Sequence, residues 1–269
     1  MTMFKTTCFE MWRQEKEMPQ IITLCKKLDD DLHGGLAAGL ITEFCGGPGC
    51  GKTQMCLQLC VNVQFPSRVG GLQGKAVYLD TNQDFSPKRL REIACCAEKR
   101  FNRALPKVGF GLGTQNVFTV NSILEGVTYL YCKNHKLLQA AIENLREMLI
   151  NDNAIKLIII DSFSFPLRVI EDVAERTGIV YNLLSQLQQL ATEFKVVVVI
   201  TNELTTRVTG NDWKICPALG DSHAHKINQR IILSKCIEEK YYIAIVEKSN
   251  CVPQAAIPFV IKQNGIRDL

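Results

Sequence analysis

Gly46-Gly47-Pro48-Gly49-Cys50-Gly51-Lys52-Thr53 follows the apolar run Leu40-Ile41-Thr42-Glu43-Phe44 and precedes Gln54-Met55-Cys56-Leu57-Gln58-Leu59-Cys60. The eight residues fit the spacing G-x-x-x-x-G-K-[ST], and the flanks supply the strand and the helix that this loop requires on either side. Glycines let backbone N–H groups close around a β-phosphate with no Cβ in the way, and the new helix directs its positive end at the anion. In such a loop Lys52 reaches the β- and γ-phosphates and Thr53 offers its hydroxyl to Mg²⁺. The sequence therefore predicts a nucleoside triphosphate site.

Outward from this loop, strand and helix patterns alternate. Ala76-Val77-Tyr78-Leu79-Asp80 reads as a strand and 87–100 as a helix; Val117-Phe118-Thr119-Val120 reads as another strand and 137–150 as another helix. Lys156-Leu157-Ile158-Ile159-Ile160-Asp161 and Val196-Val197-Val198-Val199-Ile200-Thr201-Asn202 are continuous apolar runs, with a helical pattern over 173–194 between them. Runs apolar on both faces suit parallel strands buried between helices, so the expected fold is α/β with a largely parallel central sheet flanked by helices. Arg230-Ile231-Ile232-Leu233, 241–246 and 257–261 follow one another without intervening helices and read as antiparallel strands extending that sheet. Residues 1–20 are polar and close before Pro19, a short helix or extended linker; 21–269 read as one core domain, entered through Ile21-Ile22-Thr23 and the glycine corner Gly34-Gly35.

Composition narrows the class. A net charge of +4, from 31 Lys+Arg against 27 Asp+Glu, neither requires nor excludes nucleic acid. There is no run of eighteen apolar residues and no hydrophobic signal core at the start, so a soluble intracellular protein with no membrane contact is expected. The twelve cysteines include no C-x₂-C pair, which argues against a zinc site. Cys45, Cys50, Cys56 and Cys60 read as small buried hydrophobes; Cys50 alone, at a helix N-terminus, is placed where a thiol pKa falls.

Asp161, at the carboxyl end of its strand, stands where a second group is needed to hold Mg²⁺ and its water shell. The group that orients or deprotonates the attacking water belongs at the end of the strand after the phosphate-loop helix, where the chain reads Asp80-Thr81-Asn82-Gln83-Asp84. With these elements in place the chain resembles the RecA-like strand-exchange recombinases, and among them the eukaryotic recombinase paralogues. The resemblance spans nearly the whole chain through Ile41-Thr42-Glu43, Gly51-Lys52-Thr53-Gln54, Val63-Gln64-Phe65-Pro66, Tyr78-Leu79-Asp80-Thr81, Thr201-Asn202 and Pro217-Ala218-Leu219-Gly220. Phe165-Pro166-Leu167-Arg168, Arg176-Thr177, Lys248-Ser249 and Ile266-Arg267-Asp268 make it most similar to the C branch of that family. The resemblance implies a RecA-like core, ATP and Mg²⁺ as cofactors held by residues 46–54 and Asp161, and a nuclear protein of homologous recombination. It would act on single-stranded DNA with the main recombinase and other paralogues in a hetero-oligomer. A P-loop kinase would need an acceptor pocket, for which the sequence carries no signature.

Departures from the family pattern are equally informative. Where active recombinases carry a Glu that polarises the attacking water, this chain has Asn82, and an amide cannot take up a proton. The family's γ-phosphate-sensing Gln is replaced by Glu203. Two readings follow: Glu203, or more distantly Asp84, supplies the missing carboxylate, or hydrolysis has decayed while ATP binding is kept for assembly. Lys52, Asn82 and Glu203 are thus the candidate catalytic positions.

The resemblance equates about 162–177 and 204–219 with DNA-binding loops. They bring Arg168, Arg176, Arg207 and Lys214 to a phosphate backbone, and Trp213 stacks on a base if it is exposed. His225 matches the family and His223 departs from it; their i, i+2 spacing does not suit a shared metal on a helix. Lys248-Ser249-Asn250 stands where relatives reach an adjacent subunit's nucleotide. Phe4-Lys5-Thr6-Thr7-Cys8 is a degraded form of the peptide with which relatives dock on a neighbour, so poor self-polymerisation is expected. The chain starts at that linker, without the helical N-terminal domain of many relatives.

Overall fold

The computed structural model describes residues 6–69, 71–108, 118–209, 212–236 and 238–269. The chain runs through α1 (Cys8–Lys16), β1 (Gln20–Ile21), α2 (Lys26–Asp31), β2 (Leu36–Ala37), β3 (Ile41–Gly46), α3 (Lys52–Asn62), β4 (Lys75–Asp80) and α4 (Pro87–Val108). It continues with α5 (Val120–Glu125), β5 (Val127–Tyr131), α6 (His135–Asn151), β6 (Ile155–Asp161), α7 (Ser164–Leu167), α8 (Val173–Phe194) and β7 (Val197–Asn202). The last part comprises β8 (Leu204–Thr209), β9 (Asp212–Pro217), α9 (Gly220–Lys226), β10 (Gln229–Cys236), β11 (Tyr241–Lys248), β12 (Ala255–Lys262) and β13 (Gly265–Asp268).

A nine-stranded sheet in the order β13-β12-β11-β10-β3-β7-β6-β4-β5 organises these elements. From β10 to β5 every neighbouring pair is parallel, and the C-terminal strands β10 to β13 pair antiparallel. Side chains alternate across a pleated sheet, and both faces here are covered. Leu157 and Ile159 of β6 pack into one core with Tyr78 of β4, Val199 of β7 and residues of α3, α4 and α5. Ile158 and Ile160 enter the opposite core with Val77, Leu79, Val198 and residues of α6 and α8. Two-sided burial explains why these strands read as continuous apolar runs.

Helix α8 shows how local sequence sets the layers. The Asp172 side chain accepts from the N–H groups of Ala174 and Glu175 and so caps the start. Leu183, Leu184, Leu187, Leu190 and Ala191 then present a buried stripe at helical spacing. Helix α1, by contrast, buries none of its residues; Thr7 and Glu10 form a reciprocal capping box at its start. Cys8 opens this helix, while Phe4 and Lys5 of the expected docking peptide lie outside the described residues.

One expected strand is corrected. Val117 lies outside the described residues, Thr119 caps a helix by accepting from the Ser122 N–H, and Val120 begins α5. The apolar signal there came from Phe118, buried against Phe65 and Phe101 with ring centroids 5.0 and 5.1 Å apart. The strand sits instead at β5, an outer strand whose Tyr129 and Tyr131 are exposed. Partial burial blurred its pattern.

Parallel pairing brings the carboxyl ends of β3, β7, β6 and β4 to one edge of the sheet. Cys45 lies beside Asn202, and Asp80 beside Asp161. Leu187→Ala, which hollows the core under α8, is expected to destabilise the fold by about 2–5 kcal/mol, as read from urea unfolding followed by circular dichroism.

Candidate nucleotide-binding site

At the carboxyl end of β3 the backbone turns through 47–51 into α3. Gly51, the N-cap, has φ 101°, and a Cβ there would also lie 2.9 Å from Ile261 Cδ1. No side chain among the described residues caps α3, which leaves its first N–H groups for another partner. Gly46 is required by close approach, since a Cβ would fall 2.3 Å from the Leu233 carbonyl oxygen. Nothing lies within 4 Å of a Cβ built at Gly47 or Gly49.

The loop borders a cleft of 520 Å³ with walls from all four strand ends. Pro48, Gly49, Gly51, Lys52, Thr53 and Gln54 line one side, Asn82 and Asp84 come from beyond β4, Asp161 and Ser162 from β6, and Glu203 from beyond β7. The Lys52 ammonium donates to the carbonyls of Gly46 and Gly47 at 2.7 and 3.1 Å, which keeps its charge at the loop. Gln54 accepts from Arg89 Nε at 2.7 Å, and the Arg89 guanidinium also donates to Glu92 and to the carbonyls of Lys262 and Gln263. Arg89 therefore ties α4 and the β12–β13 turn to the phosphate-loop helix. Its contacts join three parts of the chain, and no single stretch of sequence displays them.

Asp161 is 5% exposed and accepts three hydroxyl donors: Thr53 at 2.7 Å, Tyr78 at 2.6 Å and Thr201 at 2.6 Å. Burial, and next the Asp161 charge, push the Tyr78 phenol well above its ordinary range, so it acts as a donor. Thr53 and Asp161 stand together, as binding of one Mg²⁺ demands. Asp80 serves the backbone instead, because its carboxylate accepts from the N–H groups of Asn82, Gln83, Asp84 and Phe85 and from Tyr129 OH. That pins the turn presenting Asn82. Asn82 Oδ1 is buried with no hydrogen-bond partner among the described residues. An uncapped helix start, the Lys52 charge at the loop and the Thr53–Asp161 pair fit a hydrated Mg²⁺–triphosphate.

Glu203 pairs with Arg168 at 2.7 Å, and its backbone N–H donates to Asn202 Oδ1. Of the other expected DNA contacts, Arg176 lies in the first turn of α8 and donates to the Ile170 carbonyl. Arg207 and Lys214 are opposite each other on the β8–β9 hairpin, exposed on the same face. Trp213, 71% exposed, falls on the alternate face with Ile215.

Below the cleft lies an ionic cluster that the sequence did not disclose. Glu43 is fully buried in β3 and meets His223 Nε2 at 2.6 Å, the Arg230 guanidinium and Asn202 Nδ2 at 2.7 Å. Burial pushes its carboxyl up, but His223 and Arg230 together outweigh this and hold it below the usual carboxylate range. His223 thus ties α9 to the phosphate-loop strand. Lys248 donates to the carbonyls of Ala224 and Ile227, contacts within the chain that a reach to an adjacent subunit would have to break. Cys50 is the small buried hydrophobe expected; the alternative of a lowered thiol pKa is corrected, since burial raises it and outweighs the opposing effect of Lys52.

The fold and cleft define a P-loop nucleotide-binding protein of the RecA-like class. The family model described as Rad51 matches residues 14–269, and the chain belongs to the Rad51 family. It is 35% identical to DNA repair protein RAD51 homolog 3 of Cricetulus griseus, over 98% of this chain and 72% of that protein. The counterpart in Dictyostelium discoideum is 34% identical, over 93% and 65%; DNA repair protein RAD51 homolog 2 of Homo sapiens is 32% identical, over 91% and 67%. The chain spans about two thirds to three quarters of the length of these relatives.

Glu43→Gln leaves the buried Arg230 guanidinium with only Glu247, at 3.5 Å, as a counter-charge, and is expected to cost about 3–5 kcal/mol at pH 7. A carboxyl whose folded pKa is depressed contributes stability fully above its unfolded value of about 4.3, and loses it as pH falls through the lower folded value. Urea unfolding at pH 7 and on the acid side of pH 4 is therefore expected to show the gap between wild type and variant closing with acid.

Proposed function

We propose that this chain is an ATP-binding subunit of DNA repair by homologous recombination, whose working signal is nucleotide occupancy rather than rapid hydrolysis. Asn82 carries this reading: it lines the cleft just beyond β4, where a catalytic carboxylate would be needed. An amide takes no proton from an attacking water. Loss of general-base help removes about 10²–10⁴ in rate. ATP is held by residues 46–54, and Mg²⁺ by Thr53 and Asp161 through its water shell. When bound, the ion neutralises phosphate charge; Lys52 and the start of α3 orient the triphosphate.

The chain works in the nucleus on single-stranded DNA, supporting the main recombinase within a hetero-oligomer of paralogues. The hairpin supports a DNA-facing surface, with a basic face at Arg207 and Lys214 and an exposed ring at Trp213. Among the described residues no helix is long and apolar enough to cross a membrane.

The deciding measurement is ATP binding and turnover by the purified chain, with and without single-stranded DNA, with Lys52→Ala as the control. Lys52-dependent binding with slow turnover is the expected result, and Asn82→Glu is expected to raise turnover by about 10² or more. Rapid DNA-stimulated hydrolysis by the wild type would instead make the chain a competent ATPase and assign the base to Glu203.

A further inference from the structure

Most of the acceptor capacity of Asp161 is already taken. A carboxylate offers about four lone-pair sites on its two oxygens. Oδ2 accepts from Thr53 at 2.7 Å and from Tyr78 at 2.6 Å, and Oδ1 accepts from Thr201 at 2.6 Å. Both sites on Oδ2 are therefore filled, and one remains on Oδ1. Oδ2 is also the oxygen beside Thr53, the hydroxyl assigned above to Mg²⁺. Tyr78 reaches it from β4, outside the phosphate loop. Its side chain is fully buried, and its ring packs edge-on against Phe85 with centroids 4.8 Å apart, so the phenol oxygen is held in place. The ring packs equally well without a hydroxyl. Among the described residues that hydroxyl bonds Asp161 only.

We propose that Tyr78 is a positioning residue that sets which divalent cation the nucleotide site accepts, by closing Oδ2 of Asp161 to direct coordination. Mg²⁺ gives up its waters reluctantly, and a carboxylate that bonds one of those waters suits it. The free site on Oδ1 serves such a water. Ca²⁺ is larger, takes more oxygen ligands and draws carboxylates in directly, often through both oxygens. A two-oxygen clasp is closed here, because each oxygen already holds a hydroxyl and Oδ2 holds two. Tyr78 thus selects against Ca²⁺ through the carboxylate, without touching the ion, and Thr201 acts with it on the other oxygen.

Tyr78 has this role only if the cleft holds a metal–ATP complex, as proposed above, and one set of titrations separates the two levels. A fluorescent ATP analogue is titrated into wild type, Tyr78→Phe, Thr201→Val and Lys52→Ala, in saturating Mg²⁺, in saturating Ca²⁺ and in EDTA, with circular dichroism as the check of folding. Wild type is expected to bind more tightly with Mg²⁺ than with Ca²⁺. Tyr78→Phe keeps the ring and removes one donor. It is expected to improve Ca²⁺-supported binding relative to Mg²⁺-supported binding about tenfold, the scale of one hydrogen bond to a charged group. Thr201→Val reopens Oδ1 and is expected to move the same ratio in the same direction; it stands in for Tyr78→Phe if that variant does not fold. A ratio unchanged in the folded variants, or moved toward Mg²⁺, overturns the role of Tyr78 while leaving the ATP site standing. Equal gains with both ions belong to that outcome and reflect only a stronger carboxylate charge; equal losses with both ions and in EDTA belong to it too and reflect only damaged packing. Absence of Lys52-dependent binding by wild type with either ion overturns the metal–ATP reading and the role of Tyr78 with it.

Discussion

The carboxylate of Asp161 is the constraint on which the site is built. It takes hydroxyl bonds from Thr53 at the start of α3, Tyr78 inside β4 and Thr201 near the end of β7. A buried carboxylate is costly unless its lone pairs are met, and here each donor comes from a different element. Satisfying one charge therefore fixes the phosphate-loop helix, β6 and both of its sheet neighbours relative to one another. Tyr78 extends this order outward, since its ring packs edge-on against Phe85 at 4.8 Å and Phe85 meets Tyr129 of the outer strand at 5.0 Å.

A second buried charge ties the remaining side of the sheet to the same edge. Glu43 stands in β3 just before the loop, and its partners lie on β7, α9 and β10. Asn202 shares its amide between Glu43 and the Ala218 carbonyl, while its oxygen accepts from the Glu203 N–H. Glu203 is consequently set by the same cluster that anchors the base of the hairpin and the root of the phosphate loop. Removing Asp161 would leave three hydroxyls without their acceptor, and removing Glu43 would leave the buried Arg230 only the more distant Glu247, so the edge behaves as one unit rather than as four independent loop ends.

What the sequence disclosed and what it withheld separate along physical lines. β6, β7 and α8 were legible because two-sided burial and a stripe of Leu leave strong periodic signals, and the phosphate loop because its glycines answer to local backbone geometry. Asp161 was legible as a strand-end residue, and Glu203 stood out only through the resemblance. The outer strand β5 was not, since half its side chains face outward, and Phe118 mimicked a strand while serving an aromatic cluster. Arg89, Asp80 and the Glu43–His223–Arg230 cluster were hidden for another reason: their roles are contacts between residues far apart in the chain, such as Glu43 with Arg230. For His223 the only signal was that it departs from the family pattern, and burial against Glu43 gives that departure a physical content.

The two catalytic departures make sense together once the geometry is known. Asp80, not residue 82, accepts the N–H groups that shape the turn after β4, so an Asn at 82 leaves the turn intact and removes only a charge. Against the family pattern, one carboxylate is lost at the end of β4 and one is gained after β7, and the number of acids around the cleft is conserved. Their surroundings differ. The lost acid would have stood free to take a proton, whereas Glu203 stands in contact with Arg168. The two differences thus leave the turn after β4 and the Asp161 network as they are, and change only where a carboxylate stands on the cleft wall.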